Sequence, residues 1–146
     1  MDFVVDTNII ISILIKPKGK VYEVFRGLLN KHSLFISEVT LLELKEHHER
    51  TLKLSGLSQA DFELLKGEIL SRCSIAASRF ISEEILVTAY HLVEKYDKND
   101  VAFVATAIYL DGLLWSGDKK LLSGLRRDGF MQIVSTNELI AMSGGL

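Results

Sequence analysis

Short β-branched runs alternate with longer segments of helical period along the whole chain, and no other feature constrains the fold as strongly. "DFVV" at 2–5, "SLFI" at 33–36, "GLLW" at 112–115 and "MQIV" at 131–134 read as strands, with "CSIA" at 73–76 as a weaker fifth. Strands that alternate with helices assemble into an α/β layer structure around a parallel sheet rather than an all-helical bundle.

The helical segments differ in what they bury. In "SEEILVTAYHLVEKY" the residues Ile85, Leu86, Ala89, Leu92, Val93 and Tyr96 fall on one helical stripe, with Ser82 placed as the cap. "VAFVATAIYL" at 101–110 is apolar nearly all round, which predicts a helix enclosed on most sides. Residues 37–72 read as two helices joined near "LSGLS" and capped by Ser37 and Ser58, expected to project as a helical hairpin. Asp111-Gly112 and Asp128-Gly129 are turn pairs ahead of the last two strands, and the closing "SGGL" reads as a loose tail.

With 146 residues, 48% hydrophobic and 25% charged, the chain has the size and composition of a single domain over 1–146 with its own core. A net charge of -2 excludes the whole-molecule positive field of proteins that hold nucleic acid by counterion release, so any such contact must be local. The lone Cys73 offers no internal disulfide, the start of the chain lacks the basic stretch of a signal peptide, and the apolar run at 9–11 is far too short to span a bilayer. A soluble cytoplasmic protein with no membrane partner is expected.

Against that background four acids stand at element boundaries. Asp6 ends the first strand and Asp118 follows the "GLLW" strand, so both belong to the carboxyl edge of the sheet, where open α/β folds bind ligands. Asp100, with Asp97 one turn earlier, opens the enclosed helix, and Glu43 sits on the helix after the second strand. Taken singly, each aspartate is equally well explained as a helix cap, and Glu43 better explained as part of a solvated helix face. Taken together they are not. Two unit charges 5 Å apart at an effective dielectric near 20 repel by about 3 kcal/mol, so a shared pocket calls for a cation. Hard oxygen donors without cysteine or histidine select Mg²⁺ or Mn²⁺, which points to metal-assisted phosphoryl transfer.

"VVDTNIIISIL", the isolated Glu43, "DKNDVAFVATAIYLDGLLWSGDKKL" and "IVSTNEL", in that order, resemble the PIN-domain family of ribonucleases, which includes VapC-type toxins. The resemblance implies a three-layer α/β/α sandwich with a central, mainly parallel sheet of about five strands. It also implies one or two divalent ions, cleavage of RNA, a homodimer, and an antitoxin as partner. Residue by residue, Asp6, Glu43, Asp100 and Asp118 match the family's acids, with Asp97 able to replace or assist Asp100. Asn8 matches the amide near the first acid and Ser116 the hydroxyl before the last.

In this reading Asp6, Asp100 and Asp118 bind the metal, and Glu43 is a further ligand or accepts the proton of the attacking water. Asn8 and Ser116 orient Asp6 and Asp118, with Thr7 beside them. Lys119 is the best placed of the basic residues to meet a phosphate; Lys16, in the "KPKGK" loop, and Lys120, Arg126 and Arg127 are further candidates. A silent RNA-binding or scaffold module on the same fold, a structure-specific DNA nuclease, and a metal-free ribonuclease using His32 or His91 are the competing functions. His47 and His48 lack the spacing of a zinc motif, and Trp115 reads as core.

Overall fold

A computed structural model describes residues 1–143, so of the closing "SGGL" only Ser143 lies within the described residues. The chain runs β1 (Asp2–Val5), α1 (Thr7–Ile15), α2 (Lys20–Leu29), β2 (Ser33–Ser37), α3 (Glu38–Glu46), α4 (His48–Ser55) and α5 (Gln59–Ser71). It continues with β3 (Ser74–Ala76), α6 (Glu83–Val93), α7 (Val101–Leu110), β4 (Leu113–Trp115), α8 (Lys119–Arg127), β5 (Ile133–Val134) and α9 (Thr136–Met142). All five strands pair parallel in the order β3-β2-β1-β4-β5. This is the expected α/β fold.

Side-chain alternation on the strands sorts the helices into two outer layers. Phe3, Val5, Leu34, Ile36, Trp115 and Val134 face one core, filled by apolar residues of α1, α2, α5 and α9. Val4, Leu114 and Ile133 face the other, made with α6, α7 and α8. As its composition predicts, α7 is the most enclosed helix, with Phe103 to Ala107 all buried.

A tight turn fixes where α7 begins and ends. Asp111 closes it in the left-handed conformation at φ 52°, which an aspartate tolerates. A Cβ on Gly112 would collide with the Asp2 carbonyl, so glycine lets the turn press against the amino end of β1. Ten helical residues, rising about 15 Å, then carry the start of α7 to the opposite, carboxyl edge of the sheet.

Two local expectations need correction. The segment 37–72 folds as three helices, and it does not project. Ser37 and Ser58 do cap α3 and α5, through Val39 and Asp61 N–H, but the chain breaks again at His47. Thr51, Phe62 and Ile69 are buried, because the inner faces of α4 and α5 cover α1. The last strand is only Ile133–Val134; Met131 is exposed, and Gln132 joins the ladder only through its carbonyl, which accepts the Leu114 N–H, while its side-chain amide donates to the carbonyls of Ala107 and Gly112.

Candidate active site

From β1 the sheet grows through β2 to β3 on one side and through β4 to β5 on the other. The point where strand order reverses, at the carboxyl ends of β1 and β4, leaves the crevice in which such sheets place ligands. Asp6 stands there. Its N–H donates to the Trp115 carbonyl at 3.0 Å, extending the β1–β4 ladder by one residue and fixing the backbone from which the carboxylate projects.

Ser116 reaches the crevice from β4, held by its own N–H to the Val134 carbonyl. Its hydroxyl donates to Oδ2 of Asp6 at 2.8 Å and accepts the Asp118 N–H at 3.1 Å. Asp118 caps α8 by accepting the Leu121 N–H at 3.0 Å, and its side chain is otherwise exposed. The opposite wall is built on α3. The Thr7 hydroxyl donates to Oε1 of Glu43 at 3.0 Å, and because it carries one proton, the 2.9 Å contact with Thr40 is a donation from Thr40. Sequence reading missed Thr40; the available signal was its place one helical turn before Glu43.

Asp100 enters from the start of α7, with Asp97 capping the preceding single turn through the Asn99 N–H. Asp97 is exposed and Asp100 buried. Burial raises the Asp100 carboxyl to about 7, and the charges of Asp6, Asp97, Asp118 and Glu43 each push in the same direction. Burial likewise raises Asp6, opposed by the hydrogen bonds from Ser116 and Asn8 and reinforced by Glu43 and Asp118. Acids from four separate parts of the chain therefore bear on Asp6 and Asp100 across the crevice.

Other sequence candidates fall differently. Asn8 does hold Asp6, but through its backbone N–H to Oδ1 at 3.3 Å; its side chain is exposed. The helix start supplies this donor whatever residue other than proline stands at 8. Ser116 binds the Asp6 carboxylate and meets Asp118 only at the backbone. Lys119 opens α8 beside Asp118, while Lys16 follows the far end of α1, about 15 Å from Asp6 by helical rise. Arg126 is committed elsewhere, to Glu138 at 2.8 and 2.9 Å and to the Ile133 carbonyl. His32 packs edge-on against Phe3 at the amino edge of the sheet, and His91 is exposed on α6. Trp115 is fully buried and donates to Thr136.

Among the described residues no three His, Cys, Asp or Glu side chains form a ready cage for a metal. Mg²⁺ does not require one, since it commonly takes one or two carboxylates and completes its shell with water and substrate phosphate. The donor set fits such an ion: it is all oxygen, and each Asp6 oxygen accepts one hydrogen bond, which orients the group and leaves lone pairs open.

Among the described residues no helix is long and apolar enough to cross a membrane. Comparison with curated protein sequences finds no match. Among solved structures the chain is similar to VapBC2 from Rickettsia felis, solved bound to a DNA fragment from its promoter, with a TM-score of 0.67, 20% identity and coverage of 92% of this chain and 98% of that one. It is also similar to PAE2754 from Pyrobaculum aerophilum, with a TM-score of 0.66, 13% identity and full coverage of both chains. At these identities the likeness is one of fold. The family model described as PIN domain matches residues 4–138, and the sheet order, the crevice and its acids accord with that match: the chain belongs to the PIN domain family.

Proposed function

We propose that the protein is a metal-dependent endoribonuclease that hydrolyses RNA phosphodiester bonds at the crevice between β1 and β4. PIN domains are generally nucleases. The observation that carries the reading for this chain is the approach of Asp6, Glu43, Asp97 and Asp118 to the buried Asp100, whose carboxyl is raised to about 7 by burial first and by those four charges second. The arrangement disfavours ionisation of Asp6 and Asp100 and favours a divalent cation, Mg²⁺ or Mn²⁺, as one or two ions.

Asp6, Asp100 and Asp118 would hold the ion, with Asp97 able to assist Asp100. A bound divalent ion supplies a lowered pKa for water and charge neutralisation at the phosphate. Ser116 and the Asn8 N–H keep Asp6 in one orientation, so its geometry does not have to be organised during reaction. Thr7 occupies Oε1 of Glu43, which leaves Oε2 to accept the proton of the attacking water. Lys119, at the mouth beside Asp118, would offset phosphate charge, and Lys16 would meet the strand away from the scissile bond.

An antitoxin partner and a homodimer belong to the same proposal; its support is the family and the fold shared with the VapBC2 structure. A cytoplasmic location fits the lack of a membrane-spanning helix among the described residues. The test is cleavage of RNA and DNA of one sequence with Mn²⁺, with EDTA, and with Asp6→Asn. RNA cleavage abolished by both EDTA and Asp6→Asn supports the reading. Full activity in EDTA overturns it, as does preference for DNA, or RNA binding without cleavage by the wild-type chain.

A further inference from the structure

Beside the acids, the ends of β4 and β5 open into a cavity of about 450 Å³. That is within the range of roughly 300–1,000 Å³ usual for small-ligand sites. It shares Ser116 and Asp118 with the crevice, so whatever fills it lies against the acid cluster. The far wall is formed by Ser135, Thr136 and Asn137, and Leu122 provides an apolar surface.

Two hydroxyls of that wall are set as donors by the fold. Thr136 accepts the Trp115 indole N–H at 2.9 Å, and Ser135 accepts the Glu138 N–H at 3.2 Å. Neither gives its own proton to a protein acceptor among the described residues, so both protons are free for the cavity. Ser123 and Asn137 are exposed. Besides Asp118, the one acid in the lining is Glu138, and both its oxygens are taken, by Arg126 and by the Ser135 N–H. Lys119 adds a positive charge at the rim. The wall thus presents donors beside an apolar surface, which suits a flat ligand rich in acceptors.

We infer that this cavity is the subsite for the nucleotide next to the scissile phosphate, and that Ser135, Thr136 and Asn137 bind the carbonyl and ring-nitrogen acceptors of its base. The inference rests on the nuclease reading and extends it to a substrate-binding surface made by β5 and α9.

The chain has one tryptophan, so its indole N–H gives a single resonance that reports directly on Thr136. Titrating 5′-nucleoside monophosphates into the wild-type protein is expected to shift that resonance saturably. Ser123→Phe, which projects a ring into the cavity from an exposed position, is expected to weaken the effect about tenfold, close to 1.4 kcal/mol. Asn137→Ala, at an exposed site, is expected to weaken it about threefold, the loss of one neutral hydrogen bond. An unmoved resonance, unchanged affinity in both variants, or an equal shift with ribose 5-phosphate or inorganic phosphate would overturn the subsite. If RNA is cleaved while nucleotides leave the indole unmoved, only the subsite fails. If nucleotides shift it and RNA is never cleaved, the nuclease reading fails and the nucleotide pocket stands.

Discussion

The hydroxyl of Ser116 donates to Oδ2 of Asp6 at 2.8 Å across 110 residues of sequence, while Ser116 Oγ also accepts the N–H of Asp118. One buried side chain thus fixes the orientation of one acid and the backbone of another. Ser116→Ala should leave the fold intact, since it removes only one atom, yet lower metal affinity and cleavage by roughly 10–100-fold, the usual effect of losing a ligand's supporting hydrogen bond. Calorimetric titration with Mn²⁺ and a single-turnover cleavage assay would measure both.

Asn8→Ala should do little. The atom that reaches Asp6 is the backbone N–H, which alanine retains, so stability should change by no more than about 0.5 kcal/mol, as for ordinary surface positions. A large loss of cleavage with unchanged melting would show that the amide side chain acts on substrate.

Thr7→Val keeps the shape of the side chain and removes the hydroxyl between Thr40 and Glu43. The buried Thr40 hydroxyl then loses its acceptor, at a cost of about 1–3 kcal/mol. Glu43 loses the donor that orients it, so cleavage should fall as well. Thermal unfolding and cleavage rates together check the prediction; lost stability with full activity would remove Glu43 from the reaction.

Asp100 gives the metal-free protein a pH dependence whose sign is fixed. In the unfolded chain an aspartate ionises near about 3.9, whereas in the fold this carboxyl stays protonated up to about 7. Folding stability in EDTA should therefore fall as pH rises between those values and level off above them. Asp100→Asn should flatten the slope. Mg²⁺, binding only the folded form, should stabilise the protein more at pH 8 than at pH 5, read as the shift in Tm.

Glu138 acts in the opposite direction and in a lower window. The Arg126 guanidinium beside it, with the Ser135 N–H, holds its carboxyl down to about 2. A depressed acid contributes stability above its unfolded value, about 4.3, and loses it as pH falls toward the folded value. Glu138→Ala removes the side-chain half of a capping box, the acceptor of the Ser135 N–H, and a half-exposed ion pair, which together are worth about 1–2 kcal/mol. That loss should be present at pH 6 and largely gone near pH 2 in urea unfolding.

Most of the fold was legible because the alternating pattern is strong: the five strands, the enclosed α7 and the caps at Ser37, Ser58 and Ser82 all follow from periodicity and short-range hydrogen bonding. The extra break at His47 was not, since no glycine or proline marks it and the apolar stripe continues on both sides. Nor was the packing of α4 and α5, because an apolar stripe says that a helix is covered without saying by what. In the crevice, residue type named the four acids and, beside them, Ser116, Thr7 and Asn8, but not which atom of each support meets which acid. The Thr40–Thr7–Glu43 chain crosses between two helices, and Asn8 acts through an atom every residue but proline has. Arg126 looked free for phosphate until Glu138 was placed beside it, although the S-x-x-E pattern of "STNE" already marked that helix start.

The sheet order carries a consequence for synthesis. β1 is made before the other four strands but lies in the middle of the sheet, and the strand that completes Asp6's surroundings on one side begins only at Leu113. A nascent or truncated chain ending before that point has Asp6 and Glu43 but neither Ser116 nor Asp118. Such a chain has no assembled crevice, so whatever chemistry the crevice performs is withheld until β4 and the start of α8 have been made.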